Sequence, residues 1–143
     1  MPNHWHLVLV PRVDGQLSRF MQRLTITHVR RWLEHRRSVG SGQVYQGRFK
    51  SFVCQDDGHF LTLCRYVERN PLRAQRVAHA EDWAFSSQRT RLGLDRQPMI
   101  PLAPWPVARP ADWRARVNRA QTAAEEAALR RSIATANPLG DAK

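Results

Sequence analysis

Residues 4–10, HWHLVLV, constrain the fold more than any other stretch, because the segment is apolar on both alternations of an extended chain. Alternation puts His4, His6, Val8 and Val10 on one face and Trp5, Leu7 and Leu9 on the other. Apart from the two histidines both faces are apolar. The pattern therefore predicts a central strand covered on both sides. Residues 44–55, VYQGRFKSFVCQ, read as a second strand, with a bulge or a close backbone approach near Gly47. Two strands are too few for a stable sheet, so further strands are needed from elsewhere.

Helical periodicity appears in two places. Residues 16–36 carry Leu17, Phe20, Met21, Leu24, His28, Val29, Trp32 and Leu33 at helical spacing, which predicts a core-facing stripe. Arg19, Arg23, Arg30 and Arg31 lie largely off it, as a solvated face or a contact to DNA. Residues 56–70 read as a second helix capped by Asp56 or Asp57, with Phe60, Leu63, Cys64 and Val67 toward the core. Pro71 disfavours helical geometry at Asn70 and predicts an end or a kink there. Beyond Gly93 the composition shifts. Residues 96–113 hold five prolines and read as a linker or surface arm, and residues 111–136 as a last helix.

The charge narrows the partners. Lys and Arg number 23 against 12 Asp and Glu, a formal net charge of +11 on 143 residues. Only Lys50 and Lys143 are lysines, and the planar arginine fork matches phosphate. A polyanion is implied, nucleic acid before an anionic membrane. Cys54 and Cys64 have the spacing of neither a zinc knuckle nor a redox pair and read as free thiols in a reducing cytosol. No apolar run reaches the length of a bilayer span, so a cytoplasmic protein is expected.

Three groups of residues carry chemistry. His4 and His6 on one strand face can direct two imidazoles to one divalent metal, or serve only structure. Tyr66 and Asn70, four apart, share a helix face near Thr62, Arg69 and Arg73. Tyr66 is then either an interfacial tyrosine with its hydroxyl in water or a nucleophile for a phosphate, helped by a metal and by arginines. Arg48 and Lys50 alternate with Phe49 and share a strand face, either solvated or in contact with phosphate.

Taken in order, MPNHWHLVLVPR, LSRFMQRL (17–24), QGRFKS (46–51), RYVERNPLRA (65–74) and WAFSS (83–87) resemble the REP-associated tyrosine transposases. These are single-tyrosine relatives of insertion-sequence transposases, with HWH at 4–6 similar to their HUH signature. The resemblance runs from Met1 to about Gly93. It implies an α/β (α+β) ferredoxin-like fold, an antiparallel sheet with helices on its faces, followed by a C-terminal helical extension. It also implies that the family's first strand and helix are missing ahead of Met1. The domains expected are a partial catalytic domain over 1–93, a Pro-rich linker over 94–113 and a basic helix and tail over 114–143.

The resemblance further implies roles. Tyr66 would be the nucleophile, forming a 5′-phosphotyrosine. His4, His6 and Asn70 would hold Mg²⁺ or Mn²⁺. Arg48, Lys50, Arg65, Arg69 and Arg73 would contact single-stranded or hairpin DNA. The assembly is a monomer or a homodimer, in the cytoplasm at the nucleoid. Two other readings accompany this one: a catalytically inactive DNA-binding remnant, and a metal-binding protein using His4 and His6, with His28 and His35 as a second site.

Overall fold

The computed structural model describes residues 3–40, 42–96 and 100–139. Two compact units divide the chain: Val8–Ser51, and Met1–Leu7 together with Phe52–Lys143.

In the unit Val8–Ser51, α1 spans Gln16–Arg36, as its periodicity predicts. It starts after Gly15, whose φ of 72° is left-handed and carries no steric cost at glycine. At the other end Arg37 turns left-handed, and the N–H groups of Arg37 and Ser38 close onto the carbonyls of Glu34 and Leu33. The predicted core stripe is only partly covered. Met21 is the one residue of α1 described as buried, while Phe20 and Trp32 are 43% and 42% exposed. The Tyr45 hydroxyl lies 2.7 Å from Nδ1 of His28, which ties that ring to a tyrosine and not to His35. The Arg36 guanidinium stacks 4.6 Å over the Trp32 ring.

The other unit is organised around α2, Asp57–Arg73. Asp56 caps it by accepting from the His59 N–H at 2.8 Å, which decides between the two predicted caps. Three short elements follow: a 3₁₀ turn at Ala80–Asp82, α3 at Ser87–Arg91 and α4 at Trp113–Asn118. The last helix, α5, spans Ala123–Thr135. One face of α2 packs Cys64, with Phe60, Leu61 and Leu72, against Ala80, Trp113, Val117 and Trp105. Another packs Tyr66, with Leu63 and Val67, against Leu129 and Leu139. The predicted core residues of α2 thus lie where expected, and α5 covers a second face.

Three expectations are corrected. The antiparallel, ferredoxin-like α/β sheet is absent: the described residues form helices and no strand. The only ladder-like pairing among them is one parallel bridge, Cys54 to Leu139, with the Leu139 N–H donating to the Val53 carbonyl at 2.9 Å. Residues 4–10 and 44–50, Arg48 and Lys50 included, therefore lie outside any strand. An apolar alternation makes a strand favourable only where a neighbour takes its N–H and C=O groups, and no ladder partner is present among the described residues. Val10 is accordingly 70% exposed.

Pro71 does not end α2 at Asn70 but sits inside its last turn. One ladder bond is lost there, while the Asn70 carbonyl still accepts from Ala74 at 3.0 Å and Leu72 packs into the core. The helix expected over 111–136 is broken into α4 and α5. α4 ends at Asn118, whose side-chain Oδ1 accepts from the Ala80 N–H at 2.9 Å, and a capping box between Thr122 and Glu125 starts α5 afresh. α5 and Leu139 enclose the Tyr66 ring and leave the residue 6% exposed.

Candidate active site

The chemistry-bearing residues at the start of the chain and on α2 meet in one unit. Asn70, in the last turn of a long helix, is 3% exposed. Its Nδ2 lies 3.4 Å from Nε2 of His4. Nδ1 of His4 lies 2.8 Å from Oδ1 of Asn3. A proton on Nδ1 satisfies both contacts: Nδ1–H donates to Asn3, and the Nε2 lone pair accepts from Asn70. The His4 and His6 rings stand edge to face at 5.2 Å. His6 meets Tyr66 in the same manner at 5.8 Å. Spacing of four on α2 places Tyr66 and Asn70 one turn apart on a common side.

Arg73 closes the group. Its guanidinium lies 5.5 Å over the Tyr66 ring, and its Nη2 donates to Asn70 Oδ1 at 3.4 Å. Loss of water around the two rings holds the His4 and His6 pKa values below the ordinary imidazole range. Neighbouring Arg73 acts in the same direction at both rings, and His4 does so at His6. Neutral rings keep lone pairs available to a cation.

The donor types fit a divalent cation. Imidazole nitrogens and an amide oxygen together suit Mn²⁺, and the amide oxygen suits Mg²⁺. Among the described residues no group of three His, Cys, Asp or Glu side chains could hold a metal, so a site here depends on the Asn70 amide. In the observed orientation Asn70 turns its nitrogen to His4 and its oxygen to Arg73. Ligation by all three residues requires the amide to rotate by half a turn.

The remaining arginines divide. Arg65 donates from Nε to the Arg116 carbonyl at 2.8 Å and from Nη2 to the Arg119 and Ala120 carbonyls. Arg69 donates from Nη1 to the Asn118 carbonyl at 3.0 Å. Both therefore cap the C-terminal carbonyls of α4, groups that a six-residue helix leaves unsatisfied. Arg48 and Lys50 lie exposed in the other unit.

Sequence reasoning overlooked Glu68. It is 4% exposed and accepts from Trp113 Nε1 and Ser87 Oγ, each at 2.8 Å. Burial raises its pKa against the pull of those two donors. Its position two residues after Tyr66 on a helix gives no periodic signal. Only the folded arrangement of Trp113 and Ser87 reveals it as the polar bolt between α2, α3 and α4.

A basic chain that clusters a His-x-His segment with a helix-borne tyrosine and an arginine is the class of arrangement expected of a DNA-processing protein. Residues 1–70 match the model of one protein family, transposase IS200 like. The match covers just under half of the chain, and over those residues the chain is similar to IS200-like transposases. It takes in His4, His6, Tyr66 and Asn70 and stops before Arg73. No curated protein and no solved structure matches the chain. Among the described residues no helix is long and apolar enough to cross a membrane.

Proposed function

We propose that the protein nicks and transfers single-stranded hairpin DNA at the nucleoid, as a REP-associated single-tyrosine transposase, with Tyr66 as its nucleophile. The observation that carries this reading is the contact chain His4–Asn70–Arg73–Tyr66–His6. Tyr66 Oη attacks the scissile phosphorus. The P–O3′ bond breaks, the 3′ oxygen leaves with the bonding pair and takes up a proton, and a 5′-phosphotyrosine forms. Attack by an acceptor 3′ hydroxyl on that phosphotyrosine reverses the chemistry, restores Tyr66 and joins the new strand. The number of phosphoester bonds is conserved, so no nucleotide hydrolysis is needed.

His4, His6 and Asn70 would hold the Mg²⁺ or Mn²⁺ ion, which when bound supplies polarisation of the phosphate. Arg73 lies over the Tyr66 ring, where a guanidinium stabilises charge developing on phosphate oxygens. Arg48 and Lys50, exposed and basic, track the DNA backbone. The arrangement is tested by mixing the protein, Mn²⁺ and a labelled hairpin oligonucleotide and running a denaturing gel. A shifted band that vanishes with Tyr66→Phe and with chelator is expected. An adduct that persists in Tyr66→Phe overturns the assignment.

A second reading is DNA binding without cleavage. One observation favours it: the segment carrying His4 and His6 is in no ladder among the described residues, so no sheet fixes the two rings. A salt-sensitive complex on a native gel with no covalent adduct would select this reading.

A further inference from the structure

Along α1 the planar groups of His28, Trp32 and Arg36 stand four residues apart and so form one row on a side of the helix. The His28 and Trp32 ring centroids lie 6.0 Å apart, and the Arg36 guanidinium lies 4.6 Å from the Trp32 centroid. Tyr45, from the segment after the helix, extends the row. Its ring lies 5.6 Å from that of His28 and its hydroxyl 2.7 Å from Nδ1. The rings are tilted by 39° and 48° to each other, not stacked face to face. The row is also open: His28 and Arg36 are exposed and Trp32 is 42% exposed. Apolar side chains exposed singly are ordinary, but a contiguous row rimmed by charge marks an interaction surface.

The charge around the row points to the partner. The unit Val8–Ser51 holds nine Lys and Arg against two Asp and Glu, and among the described residues none of the nine is ion-paired. A second copy of this surface would be repelled, whereas a polyanion that carries planar rings matches both the charge and the row. Tyrosine, histidine and tryptophan rings and the arginine guanidinium plane are the groups on which unpaired bases stack. We propose that Tyr45, His28, Trp32 and Arg36 form a stacking surface for successive unpaired bases of a single DNA strand. Arg31, next to Trp32 in the chain, and Arg48, three residues past Tyr45, are exposed and supply charge for its phosphates. Every base has a π face, so the contact is indifferent to sequence. The inference rests on the DNA reading above and adds a base-contacting surface drawn wholly from the unit Val8–Ser51, with no member of the His4–Tyr66 group.

The test measures binding of the intact chain, by fluorescence anisotropy, to labelled oligo-dT and to an abasic strand of the same length, which keeps the phosphates and lacks the bases. Binding of oligo-dT about tenfold tighter than of the abasic strand is expected. Trp32→Leu should remove most of that preference and Trp32→Phe should keep it, while abasic affinity changes by less than about twofold in both. Equal affinity of the native protein for the two strands overturns the stacking surface but leaves the DNA reading standing. So does a preference that survives in Trp32→Leu, and so does an equal loss of affinity for both strands. Absence of binding to either strand at low salt overturns both readings. If Trp32→Leu fails to fold, His28→Ala, at an exposed position, decides: retention of the full preference overturns the proposal. Vesicles of equal parts phosphatidylcholine and phosphatidylserine form the last arm. Binding to them that is tighter than to oligo-dT and lost in Trp32→Leu assigns the row to a membrane surface and overturns the proposal as well.

Discussion

Asn70 and His4 are 66 positions apart in the chain, yet Nδ2 of one lies 3.4 Å from Nε2 of the other. The contact joins the His-x-His segment to α2 and sets the Asn70 amide beside the histidine pair, where on the proposed function it would be a third ligand. Asn70→Leu should therefore weaken Mn²⁺ binding by about tenfold or more. Asn70→Asp should retain or strengthen it, since a carboxylate adds charge to the donor set. Titration of free Mn²⁺ by electron paramagnetic resonance reads both. Native affinity in Asn70→Leu would remove this residue from the metal site.

Acid should loosen the same group. The folded-state pKa values of His4 and His6 lie below the usual 6.5, first because the rings lose water. The unfolded chain then binds protons more readily than the folded one. Stability is complete above pH 6.5 and is lost as pH falls from there through the lowered folded values. Melting temperatures over a pH series should fall in that window, less steeply in His6→Gln than in the native chain. Parallel curves for the two proteins would show that His6 does not contribute.

Arg65 and Arg73, two turns apart on α2, should fail differently. Arg65→Ala leaves the carbonyl of Arg116 in α4, and those of Arg119 and Ala120 just beyond it, without this donor. A loss of about 2–3 kcal/mol in denaturant unfolding is expected, with Arg65→Lys a poor substitute because an ammonium lacks the fork. Arg73→Ala should change stability by less than about 1 kcal/mol, as its ion pair to Glu126 spans 3.9 Å at a partly exposed position. Its effect should appear in adduct formation. Equal destabilisation by both substitutions would contradict this division.

The two thiols should differ in reactivity. Burial pushes the Cys64 thiol up to about 12, with nearby Glu68 adding to the shift. Cys54, half-buried, is raised too, first by burial. Since the thiolate is the reactive form, Cys64 should resist alkylation in the folded protein and react only on unfolding. Cys54 should react slowly. Intact-mass measurement after iodoacetamide treatment checks this, and rapid modification of Cys64 under native conditions would refute it.

Much of the local structure is written in local sequence. α1 occupies the residues its periodicity predicts, and α2 starts at one of the two predicted caps, because a repeating apolar stripe and a capping carboxylate act within a few residues. The shared side of Tyr66 and Asn70 likewise follows from helical spacing alone. A strand is different, since its hydrogen bonds go to another segment and the residues of HWHLVLV do not specify one. Pro71 is similar: local sterics argue for a break, while the packing of Leu72 and the burial of Asn70 hold the last turn in place.

What the sequence determined by itself is the set of groups: +11 charge, a histidine pair, a tyrosine and amide one turn apart, and the helices that carry them. What only the tertiary structure decided is which groups meet and which are already engaged. It joined His4 to Asn70, enclosed Tyr66 under α5, set Arg65 and Arg69 on the end of α4, and left HWHLVLV out of any ladder among the described residues. Those outcomes depend on partners distant in the chain, and proximity in space carries no mark in the local pattern.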